Sequence, residues 1–333
     1  MREISKLIVA TAYSLYQEEE LKKILESYYF KGKYNYIILV KKESKFIVTK
    51  DIQKIYFKNY KLIEVFKYKQ VMKYLLRELS KYKPNEVEIM IADVYQYLNN
   101  YLYGYACKKN IKITNYPDGL LNLVNYKVDY SKKIKIIIKK FLCKILRWDY
   151  YFYNYPSGID KSQKIYTYNK SIIKKETYLK KNVEIIELSS KKKALMKYSN
   201  ALIIGQDNLI NVLGEKKYYN YILEQVKVLR KDNNIEKIYY KSHPKYLNQI
   251  FQTKIRKYCL LIEDDELVEK LIEKYKIIKA SSFYSTALIN LKNQYDDIEC
   301  IAFKLEKVLS VTKEADINKL KKIFINYGIE IIE

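Results

Sequence analysis

The sequence is poor in the residues on which several common chemistries depend: one histidine, seven glycines, four prolines and four cysteines among 333 residues. It contains no G-x-G-x-x-G fingerprint and no Walker A loop, which argues against fingerprint-type dinucleotide binding and P-loop nucleotide hydrolysis. There is no H-E-x-x-H pair and no G-x-S-x-G elbow, which argues against zincin and α/β-hydrolase chemistry. Cys107, Cys143, Cys259 and Cys300 stand far apart, without C-x-x-C or Cys/His ligand spacing. They support neither a zinc site nor a disulfide framework and read as buried thiols in a reducing compartment. No stretch approaches ~18 uninterrupted apolar residues, so nothing reads as a membrane span. The apolar run Leu7–Tyr13 is too short for a good signal-peptide core and leads straight into an amphipathic helix pattern, so the expected location is cytoplasmic.

Acidic residues are also scarce relative to basic ones. Thirty-eight Asp and Glu face 63 Lys and Arg, a formal net charge of +25. A field of that size attracts nucleic acid, an anionic membrane or an anionic substrate. The same bias follows from A/T-rich codons, which enrich Lys, Tyr, Ile and Asn together, so the charge speaks to association and not to fold. The length is about twice that of a typical domain, and Ile, Leu and Val are spread along the whole chain, which predicts two domains with real cores.

Short β-rich runs alternate with helical periodicity from end to end. Leu7–Thr11 reads as a buried strand, and Ser14 with Gln17 three residues later opens a helix to about Tyr29 in capping-box fashion. Strands at Tyr36–Val40, Phe46–Thr49, Glu86–Ala92 and Ile111–Asn115 are spaced by helices near Gln70–Lys81 and Val94–Lys109. The second half repeats the pattern, with strands at 201–204, 235–241, 277–280 and 298–303 and helices near 216–231, 266–275, 285–291 and 317–325. This is the β-α-β rhythm of parallel sheets, and the economical architecture is α/β: two Rossmann-like domains facing across a cleft, residues 1–195 and 196–333, with the last helix free to pack back on the first domain. In such sheets ligands bind beyond the carboxyl ends of the strands.

The segment from Ser131 to Pro156 interrupts the rhythm. Lysines alternate with Ile, Phe and Leu at roughly helical spacing, and the only Trp, Trp148, closes the run. Two structures fit: an amphipathic helix packed on the core with its lysines solvated, or a helix lying in a membrane interface.

Polar residues at strand ends are the candidates for chemistry. His243 ends a strand in Lys241-Ser242-His243-Pro244-Lys245, where Pro244 biases it away from helix. Asp118 follows a strand in Pro117-Asp118-Gly119, which is also a plain turn signature. Ser281-Ser282 and Ser285-Thr286 lie across a strand-to-helix junction, where free N–H groups make an anion site or a simple N-cap. Glu266 opens the preceding helix, where a carboxylate suits the dipole with or without a ligand.

In order and spacing, the strand-end Asp-Gly, Gly205-Gln206, His243-Pro244, Glu266 and Ser281-Ser282 resemble bacterial sialyltransferases of glycosyltransferase family 52 and their capsule-polymerising relatives. Those families carry acidic-Gly, His-Pro and Ser-Ser/Thr motifs on a two-Rossmann GT-B scaffold. Ala10–Tyr16 is similar to the first turn of family 52, with Ala12 and Ser14 where Pro and Gln are common. The first acid of the usual acidic pair is Pro117 here. The resemblance implies an inverting, metal-independent transfer from CMP-sialic acid to a galactoside-type acceptor of a bacterial surface glycan. It implies Asp118 as general base, with Asp207 as the fallback carboxylate, and His243 as partner or acid for the leaving phosphate. Ser281 and Ser282 would hold the phosphate oxygens, Glu266 the ribose, and Gly205 and Gln206 the nucleotide, with Pro244 and Thr11 as further substrate-binding residues.

No cofactor is expected beyond the donor. Expected partners are the donor, the glycan acceptor and, through residues 131–156, the inner face of an anionic membrane, with a homodimer left open. Rival readings are a GT-B transferase using another nucleotide sugar and, from another class, a basic nucleic-acid-binding protein. Against the latter, the positive charge is dispersed and no helix-turn-helix or RNP signature is present.

Overall fold

In the first strand, β1 (Lys6–Ala12), every residue after Lys6 is buried, because successive side chains enter two different cores. Leu7 and Val9 pack with Ile37, Leu39, Ile89 and Ile91 under the Lys69–Leu79 and Tyr97–Lys109 helices. Ile8, Ala10 and Ala12 pack on the other face with Ile38, Val40 and Met90 against Leu21, Ile24 and Leu25 of the Leu15–Ile24 helix and its continuation. A strand covered on both faces by helices has no polar side, so it reads as a continuous apolar run.

The computed structural model describes residues 6–41, 53–57, 67–119, 123, 128, 130–174, 179, 182–188, 198–243, 249–264, 266–312 and 317–333. The chain divides into two compact units, Met1–Leu188 and Ser189–Glu333. In the first, β1 is joined by β2 (Tyr34–Lys41), β3 (Gln53–Phe57), β4 (Val87–Ile91), β5 (Lys112–Asn115), β6 (Lys164–Thr167) and β7 (Glu184–Glu187). All pairings are parallel, in the order β3-β2-β1-β4-β5-β6-β7. The second unit holds β8 (Asn200–Ile204), β9 (Lys237–Lys241), β10 (Leu260–Ile262), β11 (Ile277–Ser282), β12 (Glu299–Phe303) and β13 (Glu330–Ile332). Its order is β10-β9-β8-β11-β12-β13, again parallel throughout. Each sheet thus contains the doubly wound order 3-2-1-4-5-6, extended by a seventh strand in the first unit, with a topological switch point between its first and fourth strands.

The structure bears on several sequence expectations. The expected strand Phe46–Thr49 lies outside the described residues. The last helix, Ile317–Asn326, packs against β13 and the Leu305–Thr312 helix of its own unit. Cys143, Cys259 and Cys300 are buried, but Cys107 is exposed. Among the described residues no helix is long and apolar enough to cross a membrane, and no group of His, Cys, Asp and Glu is arranged to hold a metal ion.

Candidate active site

In the first unit the switch point lies between the ends of β1 and β4. The chain leaves β1 at Tyr13 and enters a helix capped by Ser14, whose hydroxyl accepts from the Gln17 N–H at 3.2 Å. Gln17 turns back as the capping pattern requires, but its carbonyl oxygen accepts from the N–H of Tyr13, one residue before the cap, at 2.7 Å. Its amide nitrogen is left to reach outward, and it donates to Asp118 Oδ1 at 2.8 Å. Asp118 follows β5 in the expected turn, where Gly119 takes φ of 62°, a left-handed conformation that costs glycine little.

A second carboxylate shares this end of the sheet. Asp93 sits between β4 and the Tyr97–Lys109 helix and is fully buried. It accepts from the Gln96 N–H at 3.1 Å, from Asn99 at 3.3 Å, and from the side chain of Gln17. Burial raises the Asp93 carboxyl above its ordinary range, opposed by these hydrogen bonds. Burial raises Asp118 as well, and the Asp93 charge adds to it, while the Gln17 hydrogen bond pulls the other way. Two carboxyls bridged by one amide cannot both ionise cheaply, and the buried one makes the half-buried one more basic.

Asp118 opens into a cavity of about 480 Å³ lined by Tyr95, Lys132, Lys135, Lys139, Tyr153 and Pro156, among others. The roof comes from the irregular middle of the sequence. Asn100 binds it twice, donating to the Tyr151 carbonyl at 3.0 Å and accepting from the Tyr151 N–H at 2.7 Å. Asn115 donates to the Ser157 carbonyl at 2.7 Å, and Pro156 accepts from the Val94 N–H at 2.7 Å. The lysines come from one face of the Tyr130–Ile145 helix. Lys139 lies over the rings of Tyr97, at 4.1 Å, and Tyr150, at 4.9 Å, and burial lowers its pKa. Thr11 is enclosed within β1, its backbone carbonyl accepting from the Tyr116 hydroxyl, so it offers no exposed contact.

In the second unit the ends of β9, β8 and β11 lie side by side and carry His243, Gln206-Asp207 and Ser281-Ser282. Asp207 is buried, with burial raising its pKa, and both oxygens are engaged. Oδ1 accepts from the hydroxyls of Tyr240 and Tyr218, the latter at 3.0 Å, and Oδ2 accepts from the backbone N–H of His243 at 2.9 Å. Asp207 thereby fixes the main chain at His243. Gly205 serves the same cluster, since a Cβ there would stand 2.3 Å from the Tyr240 hydroxyl oxygen. Gln206 ties β8 to β11, accepting from Tyr284 N–H at 2.9 Å and from the Ser282 hydroxyl at 3.3 Å.

The serine and glutamate expectations change in detail. Ser281 and Ser282 lie inside β11, both buried, and their hydroxyls donate to Gln225 at 2.8 Å and to the Ile204 carbonyl at 2.7 Å. The N-cap is Ser285, whose hydroxyl accepts from Ala287 N–H at 3.2 Å and starts the Thr286–Gln294 helix. The helix expected to open at Glu266 starts at Val268, so Glu266 is an exposed residue before it. The first-turn acid is Glu269, which is buried and accepts from Asn290 at 2.8 Å. Pro244 lies outside the described residues. Asp93, the Gln17 bridge, and Tyr218 with Tyr240 had no motif to announce them; Asp93 alone sat at a readable place, between a strand and a helix.

Solved structures of similar fold include a sialyltransferase and a putative epimerase. An α/β-galactoside α-2,3-sialyltransferase from the luminous marine bacterium Photobacterium phosphoreum superposes with a TM-score of 0.54 at 14% identity, over 98% of each chain. A putative UDP-N-acetylglucosamine 2-epimerase from Listeria monocytogenes gives 0.57 at 11% identity, over 97% of this chain and 88% of that one. UGT2 of Phytolacca americana, solved with UDP-2-fluoro-glucose and pterostilbene, gives 0.54 at 9% identity, over 99% and 86%. At such identities these likenesses establish the fold, two parallel Rossmann-like sheets of GT-B type, as the sequence led us to expect. No curated protein matches the sequence. The family that does match, over residues 5–304, is described as Alpha-2,8-polysialyltransferase (POLYST). It differs from the family 52 resemblance and falls on the polymerising side of it. The match spans nine-tenths of the sequence, and the chain belongs to the alpha-2,8-polysialyltransferase family, sialyltransferases that add α-2,8-linked sialic acid.

Proposed function

We propose that the protein elongates an α-2,8-linked sialic acid chain by inverting, metal-independent transfer from CMP-sialic acid, with Asp118 as the general base. An α-2,8 linkage makes the attacking group a hydroxyl on the terminal sialic acid of the acceptor, rather than one on a galactoside. Such an acceptor carries a carboxylate on every residue. The observation that carries the reading is a basic carboxylate and three lysines converging on one cavity. Lys132, Lys135 and Lys139 match the acceptor's charge, and Asp118, ionised, takes the proton of the attacking hydroxyl as the bond to the sugar forms. A base whose pKa is raised holds that proton more strongly as it leaves the hydroxyl.

The second unit supplies the donor side of the reading. His243, with its main chain held by Asp207, is the partner of the departing CMP phosphate, and the start of the Thr286–Gln294 helix offers further N–H donors. Ser281 and Ser282 act here by fixing the strand end.

Asp118→Asn tests the assignment directly. Release of CMP in the presence of an oligosialic acceptor should fall by at least ~10², while CMP still raises the melting temperature of the variant. Asp207→Asn should instead weaken CMP stabilisation by loosening His243. An active Asp118→Asn beside an inactive Asp207→Asn that binds CMP normally would reverse the two roles.

A further inference from the structure

The Tyr130–Ile145 helix presents opposite chemistries on its two sides. Ile136 and Cys143 are buried, and Lys132 and Lys139 turn with them toward the cavity. On the outer side Ile137, Ile138, Phe141 and Ile145 are 57%, 52%, 64% and 63% exposed, and Ile134 is exposed beside them. At about 100° per residue these five fall within an arc of roughly 100°, so they form one stripe along the helix and are not scattered. Lys133, Lys140 and Lys144 flank the stripe on one side and Lys135 on the other, and residues 130–148 contain no Asp or Glu. This inverts the core-packed alternative: the buried face is narrow and partly cationic, and the apolar face is turned out.

We propose that this helix is an interfacial anchor that lays its outer stripe into the surface of an anionic bilayer. Charge decides among the possible occupants. A second copy of the chain meeting this face about a two-fold axis would bring lysine flanks against lysine flanks, whereas anionic headgroups complement them while the stripe reaches the acyl boundary. The helix is held firmly enough to act as a platform. Trp148 N–H donates to the Cys143 carbonyl at 2.9 Å, and the Trp148 ring packs on Tyr101 and Tyr68 at centroid distances of 4.8 and 5.7 Å. Docking would then hold the acceptor cavity on a membrane-bound helix, although the anchoring itself depends on no step of the transfer.

Vesicle flotation of the full chain, without donor or acceptor, tests this. The protein should float with vesicles of phosphatidylcholine and phosphatidylglycerol and stay behind with phosphatidylcholine alone. Phe141→Ser/Ile145→Ser should lower partitioning by about a hundredfold, the loss of two inserted side chains. Lys140→Glu/Lys144→Glu should lower it by a comparable factor through charge alone. The buried Trp148, 2% exposed, reports by its emission whether each variant is folded. Transfer to a soluble oligosialic acceptor should be unchanged in Phe141→Ser/Ile145→Ser, which separates anchoring from catalysis. Failure of the wild-type chain to float with anionic vesicles, or equal flotation of both folded variants, would overturn the anchor. So would a wild-type dimer that Phe141→Ser/Ile145→Ser dissolves.

Discussion

Replacing Asp93 by Asn removes one buried charge from beside Asp118 and leaves an amide oxygen to accept from the Gln96 N–H. Two carboxylates bridged by one amide nitrogen lie roughly 5 Å apart, and at an effective dielectric of about 20 their repulsion is ~3 kcal/mol, or roughly 2 pH units. Asp118 is held at about 8 in the wild-type protein. With Asp118 as the proposed base, activity should climb as pH rises through that value, and the acid limb of kcat/KM should move down by about 2 units in Asp93→Asn. Gln17→Leu should move the limb the other way, since it deletes the hydrogen bond that favours the charged form. Initial rates of CMP release across a pH series measure both. An acid limb that stays in place in Asp93→Asn, or moves to higher pH, would refute the coupling of the two carboxyls.

Three further outcomes follow from other parts of the structure. Between an unfolded pKa of ~4 and the folded value, the native state holds the Asp118 proton that the unfolded chain has lost, so this group lowers stability as pH rises. Asp118→Asn should therefore melt higher than wild type at alkaline pH, by ~2–4 °C for each kcal/mol relieved, with the gap closing in acid. Gly205→Ala should destabilise by roughly 1–3 kcal/mol in a denaturant titration, because its Cβ would strike the Tyr240 hydroxyl and the Lys241 carbonyl; an unchanged midpoint would show that the cluster yields. His243→Ala should cut turnover by ~10² and leave the melting temperature of the apo protein near wild type, since the bond to Asp207 is made by the backbone. Near-normal turnover would remove the imidazole from the reaction.

The regular part of the fold was legible because each central strand is buried on both faces and so reads as an unbroken apolar run. The strands that escaped notice lie at or beside sheet edges: Gln53–Phe57, Lys164–Thr167, Glu184–Glu187, Leu260–Ile262 and Glu330–Ile332. They are short, and all but Leu260–Ile262 carry a charged residue, which is how an edge tolerates solvent and resists pairing with other chains. Strand-end position located Asp118 and His243 from sequence, and the same argument applied to Asp93 would have found it. The serine pair was expected where a strand gives way to a helix, and it closes β11, where Gln225 and the Ile204 carbonyl accept from both buried hydroxyls. The helix expected to open at Glu266 starts two residues later, and Glu269 is the acid that its first turn buries. What no local pattern could show was long-range pairing, such as Gln17 with Asp118 across 101 residues.

The mooring of His243 changes how core variants of this enzyme will behave. Tyr218 and Tyr240 look like filler in a chain with 38 tyrosines, many of which A/T-rich codons would supply without selection for the hydroxyl. Yet their two hydroxyls orient the carboxylate that grips the His243 main chain. A Tyr→Phe exchange at either position keeps the ring packing and loosens that grip, and at position 218 it also removes the acceptor of the Gln206 N–H. If His243 holds the donor as proposed, such a folded variant would be sorted among the donor-binding mutants, although the altered atom is buried in the core.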